Sequence, residues 1–181
     1  MPAYRIRPAT LTDVDVLVHH RIAMFTEMGT AIDADSVTTA FRDWVTRLLP
    51  AGTYRGWVVE TESGEIVAGG GMTTLPWPPG PWYVGGRMAF VYNVYTEPGH
   101  RRQGLARMVM DAIHLWCQED GIGVAGLNAS GQAQRLYESM GYHQMPAPMM
   151  VCGLKSPRTW ISPPPMPATG WSFLPSEALR V

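Results

Sequence analysis

Cysteine is scarce in this chain. Its 181 residues include two, Cys117 and Cys152, and neither stands in a metal or redox motif. A disulfide scaffold is thereby excluded, and the expectation is two reduced, buried thiols, one in a helix and one in a strand. Charge is also sparse, at 16% of residues with a net of −1. No long basic run occurs, so nothing favours nucleic acid as a partner. No segment is apolar for long enough to span a bilayer, and the N-terminus, MPAYRIRPAT, lacks the apolar core of a signal peptide. A cytoplasmic protein with no membrane association is expected. The histidines lack ligand spacing: His19 and His20 are neighbours on a helix and should point apart, while His100, His114 and His143 stand alone. No metal is expected, and there is no internal repeat.

What the chain does have is apolar residues, 46% of the total, enough for a core without cross-links. Tyr4–Arg7 reads as a first strand. TLTDVDVLVHHRIAMF then reads as a helix, with Thr12 and Asp15 as a capping pair, Leu11 and Val16 as a hydrophobic staple, and Val14, Leu17, Val18, Arg21, Ile22 and Phe25 on one face. A second helix fits Ser36–Leu49, with Val37, Ala40, Phe41, Trp44, Val45 and Leu48 as its apolar stripe. YRGWVVET and EIVAGGGMTTL flank a hairpin-like Glu62-Ser63-Gly64, and the glycine run inside the second strand predicts a bulge or a close backbone approach. PWPPGPWYVGG is a stiff aromatic loop, with Trp77 or Trp82 available to line a cleft. Arg87–Tyr95 is apolar throughout and fits a central strand. A helix to about Asp120, a short strand GVAGLNA, a helix capped by Ser130 and closing strands in YHQMPAPMMVCGL follow; Met145, Met149 and Met150 read as packing residues. From Ser156 the chain is proline-rich and aperiodic. The order predicts a mixed α/β sheet covered by helices, with a domain over 1–155 and a tail over 156–181 that packs on the domain or on a partner.

The stretch HRRQGLARM, His100–Met108, sits between the central strand and the helix whose apolar face is Leu105, Met108, Val109, Ala112, Ile113 and Trp116. A helix start exposes unpaired amides and partial positive charge, which suits a phosphate. Gly104 permits close backbone approach, Ala106 avoids a clash, and Arg101 and Arg102 add charge. Read alone, the stretch is equally a helix that begins with solvated arginines. It is neither a P-loop nor a three-glycine dinucleotide turn.

Arg101-x-x-Gly104-x-Ala106 behind an apolar strand resembles the acyl-CoA pyrophosphate loop of the GNAT superfamily of N-acetyltransferases, whose motif is Gln/Arg-x-x-Gly-x-Gly/Ala. SGQAQRLYESMGY resembles the family's later helix, often Asn-x-x-Ala-x-x-Leu-Tyr-x-x-x-Gly-Phe, with Ser130 where Asn is frequent and Tyr142 where Phe is frequent. The resemblance covers roughly residues 4–154 and not the tail. It implies a mostly antiparallel sheet, flanked by helices and splayed between a fourth strand, Arg87–Tyr95, and a fifth, Gly123–Asn128.

The resemblance also implies acetyl-CoA as cosubstrate. Its pantetheine arm would pair with backbone of Val94, Tyr95 and Thr96, and its pyrophosphate would lie on the amides of Arg102, Gln103, Gly104, Leu105 and Ala106, near Arg101. Asn128 and Ser130 complete the cosubstrate set, although Asn128 could also hold a water or the acceptor. A substrate amine attacks the thioester directly in this family, so a base, an oxyanion donor and a proton for the thiolate are needed. A backbone N–H near Val94 is implied for the oxyanion, and Tyr137 for the thiolate. On its own helix face Tyr137 reads as core. The base is Glu97, Glu27 or a water held by Tyr92 or Asn93. Asp33 and Asp35 could attract a cationic amine, and Asp35 could instead cap its helix; each of these acids alone reads as a surface or capping group. The expected activity is acetyl transfer to a primary amine of a small molecule. A peptide or lysine acceptor, or a non-catalytic acyl-CoA sensor, are the alternatives. Trp160, Ile161, Trp171 and Phe173 in the tail leave a homodimer open.

Overall fold

Alternation and capping set the first elements in the computed structural model, which describes residues 3–30, 32–81 and 83–145. Strand β1 (Tyr4–Pro8) leads into a 3-10 turn at Leu11–Asp13 and then helix α1 (Val14–Glu27). The capping box is Thr10 with Asp13, not Thr12 with Asp15: the Asp13 carboxylate accepts from the Thr10 amide at 2.7 Å. Asp13 wins because it also meets Arg7, whose guanidinium grips both of its oxygens at 2.8 and 2.9 Å, so cap and ion pair share one carboxylate. The expected staple does not form either, since Leu11 is 51% exposed. Helix α2 (Ala34–Leu48) starts two residues earlier than its periodicity suggests, because Asp33 rather than Asp35 is its cap and accepts from the Ser36 amide at 3.2 Å.

Strands β2 (Tyr54–Thr61), β3 (Ile66–Pro76) and β4 (Arg87–Thr96) follow as an antiparallel meander. Helix α3 (Leu105–Glu119) crosses over to β5 (Ala125–Leu127), which runs parallel to β4. The sheet order is β1-β2-β3-β4-β5. Leu17, Phe41, Val45, Tyr54 and Val58 form the core beneath α1 and α2. Val109, Met110 and Ile113 of α3 are fully buried. Each such side chain contributes roughly 1.5–3 kcal/mol by leaving water.

Successive residues of a strand face opposite sides, and the glycine run of β3 uses this on both faces. A Cβ on Gly70 would come within 2.9 Å of Val109 Cγ1, so α3 rests on bare backbone there. A Cβ on Gly71 would come within 2.3 Å of the Tyr54 hydroxyl, so the Tyr54 side chain lies across the opposite face. Both a close approach and a bulge are therefore present. Gly69 pairs with Tyr95 and Gly71 with Tyr92, which gives β4 one residue more than β3 over this interval. The extra residue brings Asn93 to a left-handed backbone, φ +56°.

β4 and β5 pair only through Ala89–Ala125, Phe90–Gly126 and Val91–Leu127. Beyond Val91 the β5 side of β4 has no strand partner among the described residues. The expected splay between the fourth and fifth strands is thus seen, with β5 shorter than Gly123–Asn128.

The chain divides into two compact units, residues 1–134 and 135–181. Helix α4 (Gln134–Glu138) straddles the division. In the second unit the Tyr137 carbonyl accepts from the amides of Met140 at 2.9 Å and Tyr142 at 3.0 Å, and Gly141 ends the turn at φ +90°. Tyr142–Met145 form no strand. The remaining closing strands, Trp82, Met149, Met150, Cys152 and the tail aromatics lie outside the described residues. Trp77 is 45% exposed. Among the described residues no helix is long and apolar enough to cross a membrane.

Candidate active site

The turn ahead of α3 is held by main-chain strain that only certain residues accept. Arg102 has φ +62° and Gly104, the cap of α3, has φ +83°. Gly104 adopts this region at no steric cost. A Cβ there would meet nothing within 4 Å, so the space over it is open. The first helical bond runs from the Met108 amide to the Gly104 carbonyl at 3.0 Å. The amides of Leu105 and Ala106 precede it, where a helix supplies no acceptor. Those of Arg102, Gln103 and Gly104 likewise have no backbone acceptor among the described residues. Five consecutive amides at a positive helix end, under open space, fit a pyrophosphate.

Arg101 does not join them. Its Nη2 pairs with Glu27 Oε2 at 2.6 Å, its Nε donates to the Thr96 carbonyl at 2.9 Å, and its guanidinium stands 5.5 Å from the Tyr95 ring centre. Glu27 also accepts from the Tyr95 hydroxyl at 2.7 Å. The Tyr95 hydroxyl and then Arg101 hold the Glu27 carboxyl below its ordinary range. Burial, and then the Glu27 carboxylate, push the Tyr95 phenol up to about 12. Glu27, Tyr95 and Arg101 thus brace α1, β4 and the turn together. Gln103 is anchored from β1, accepting from the Tyr4 hydroxyl at 3.0 Å.

Glu97, at the end of β4, meets both adjacent histidines. His19 Nε2 is 2.9 Å from its Oε1 and His20 Nε2 is 3.6 Å from the same oxygen. The expectation that the two rings point apart does not hold: their centroids are 5.8 Å apart, because both lean toward this one carboxylate. Burial drives His20 down to about 4, with the charge of His19 adding to the effect, so His20 is neutral. Among the described residues no cluster of His, Cys, Asp and Glu could hold a metal.

A third group joins Asn93 and Tyr92, expected to hold a water, to Arg21, whose part the sequence reading missed. Arg21 of α1 donates through Nη1 to Asn93 Oδ1 at 2.5 Å, and its guanidinium lies 4.9 Å from the Phe25 ring centre and 4.8 Å from that of Phe41. Trp44 stacks on Phe41 and meets Tyr54 and Tyr92 edge-on, and Phe90 packs beside Tyr92. The bulge of β4 makes this possible by bringing Asn93 to Arg21 while Tyr92 meets Trp44. The available signal was an arginine on the apolar stripe of a helix.

Of the other expected residues, Val94 packs over Gly70 on the α3 side, Thr96 gives its carbonyl to Arg101, and Asn128 is exposed just past β5. The Ser130 carbonyl accepts from Ala133 and Gln134. Tyr137, in the second unit, is buried, which pushes its phenol up to about 12.

Four antiparallel strands, a parallel fifth reached through a helix, and open amides at that helix's start define an acyltransferase architecture. A family model for the acetyltransferase (GNAT) domain matches residues 52–144. A GCN5-related N-acetyltransferase from Ralstonia eutropha is 32% identical, with a TM-score of 0.76 over 85% of this chain and 100% of its own. The chain belongs to the GNAT superfamily of acetyltransferases. A predicted acetyltransferase from Clostridium acetobutylicum, solved with acetyl-CoA, shares the fold at 23% identity and TM-score 0.76, over 83% of this chain and 96% of its own. Glucosamine-6-phosphate N-acetyltransferase from Arabidopsis thaliana shares it at 15% identity and TM-score 0.64, over 85% and 99%. No curated protein sequence matches the chain.

Proposed function

We propose that the protein transfers an acetyl group from acetyl-CoA directly to the primary amine of a small molecule. The observation that carries this is the run of open amides at Arg102–Ala106 under the positive φ of Gly104. These amides bind the pyrophosphate, and Arg102 adds charge beside them. The unpartnered edge of β4 at Val94, Tyr95 and Thr96 receives the pantetheine arm as an added strand. Asn128 and Ser130 complete the cosubstrate set in this reading.

Glu97 is the proton acceptor for the amine, because its carboxylate lies beside His19, which can pass a proton to solvent. Glu27 is the weaker candidate. It is committed to Tyr95 and Arg101 and held acidic, so it orients the turn. A backbone N–H in the bulge near Val94 faces the developing oxyanion. Tyr137 stays protonated at neutral pH and gives its proton to the departing thiolate as the C–S bond breaks and the C–N bond forms. We assign the catalytic domain to residues 1–155 and treat 156–181 as an appendage that packs on it or joins two copies.

Calorimetric titration with acetyl-CoA, wild type beside Gly104→Asp, tests the donor site. Binding lost in a folded variant supports it. Equal binding by both overturns it.

A further inference from the structure

Arg21 poses a problem that the donor site does not solve. It is largely buried, and among the described residues no carboxylate pairs with it. A cation drawn out of water without an anion costs several kcal/mol, and the faces of Phe25 and Phe41 recover part of that. A guanidinium has five N–H donors. Asn93 Oδ1 is the one hydrogen-bond acceptor it meets among the described residues. Two more buried polar atoms lie beside it, Asn93 Nδ2 and the Tyr54 hydroxyl; Asn93 is near enough to favour the ionised Tyr54 phenol, yet neither atom makes a hydrogen bond of good geometry. The spare capacity of this group is therefore mostly donors, and they converge on the face of β4 that carries the bulge.

The surroundings are apolar. Phe25, Trp44, Phe90 and Tyr92 are each only partly buried, so their rings offer flat walls that a ligand can reach. A site that pairs a fork of donors with aromatic walls, and whose cation pairs with no acid among the described residues, selects for an anion on an apolar body.

We propose that the acceptor amine also carries an anionic group, a carboxylate or a phosphate, which Arg21 binds together with Asn93 Nδ2 and the Tyr54 hydroxyl. This rests on the acetyl-transfer reading above and narrows it: amino acids and amino-sugar phosphates are acceptors, whereas polyamines and aminoglycosides, which bring only positive charge to Arg21, are rejected.

The test uses the full chain, acetyl-CoA and amines matched in pairs: phenylalanine against phenylalaninamide, and glucosamine 6-phosphate against glucosamine. Spermidine and kanamycin serve as cationic controls. CoA release gives kcat and KM for each. The anionic member of at least one pair should have kcat/KM about tenfold or more above its neutral partner, and which pair responds separates carboxylate from phosphate. Arg21→Met should erase that preference by raising KM for the anionic member about tenfold more than for the neutral member. Arg21→Lys should retain part of it, and serves if the methionine variant does not fold. Neutral or cationic amines turned over as well as the anionic ones, or a preference that survives both substitutions, overturns the proposal. Acetyl-CoA bound with no anionic amine acetylated also overturns it and leaves the donor site standing. Failure of acetyl-CoA to bind at all breaks the donor reading itself, and the acceptor proposal with it.

Discussion

Around Gly104 the molecule presents main chain; around Arg21 it presents side chains. The donor turn needs one residue free to adopt φ +83° and a helix that begins there, and nearly everything it offers a ligand is an amide. The cleft needs Arg21 from α1, Phe41 and Trp44 from α2, Tyr54 from β2, and Tyr92 and Asn93 from β4. A site made of backbone serves every protein that shares the turn. A site assembled from four elements changes with any one of them, so on the proposed function one fold holds a constant donor side and a variable acceptor side.

The contrast can be broken most directly at the turn. Gly104→Asp places a negative charge where five amides converge, and acetyl-CoA affinity should fall by about 100-fold or more, about 2.7 kcal/mol. Aspartate tolerates the left-handed region, so the fold should survive, which circular dichroism will check. Tight binding by the variant would mean that the amides are not the anion site. Next in size is Tyr137→Phe, which should lower kcat by about tenfold or more while acetyl-CoA affinity stays within about twofold. An unchanged kcat across the pH range would return Tyr137 to the core.

A pH scan sharpens the comparison further, since a backbone site does not titrate and His20, beside His19 and Glu97, does. Its folded pKa, about 4, lies below the ordinary 6.5, so protons favour the unfolded chain. Stability is full above about pH 6.5 and declines as the pH falls toward 4, by roughly 2 kcal/mol between pH 7 and pH 5. Thermal melting should show this slope, and His20→Gln should flatten it; an equal slope in the variant would place the titration elsewhere. The smallest effect belongs to Glu27→Gln. Its ion pair with Arg101 is more than one-third exposed on both sides, so less than about 1 kcal/mol of stability should be lost. A larger loss in urea unfolding would mark the Glu27–Tyr95–Arg101 brace as part of the core.

The turn before α3 was legible in the sequence because its information is local: an apolar strand, one glycine at the right offset and a helical period. The sequence of strands and helices along the chain was legible for the same reason, while the splay of the sheet came from the family resemblance. Caps slipped: Asp13 was chosen by Arg7, a partner outside the helix, and Asp33 by the Ser36 amide three residues on, which puts the start of α2 ahead of its apolar stripe. The fate of Glu27 and Arg101 was hidden, since 74 positions separate residues that touch. Arg21 stood on an apolar stripe, but its meaning depended on the extra residue of β4 that brings Asn93 round, and the glycine run of β3 that predicts a bulge does not say which partner residue it turns.

Gly71 and Tyr54 carry a last consequence. The tyrosine hydroxyl occupies the volume that any side chain at position 71 would need. Neither position can drift alone: enlarging 71 evicts the ring, and shrinking 54 leaves a hole under Trp44 and Tyr92. Lineages of this fold that reshape the cleft should therefore exchange the two together, so that the route to a new acceptor passes through a bare stretch of β3 hidden beneath the Tyr54 ring.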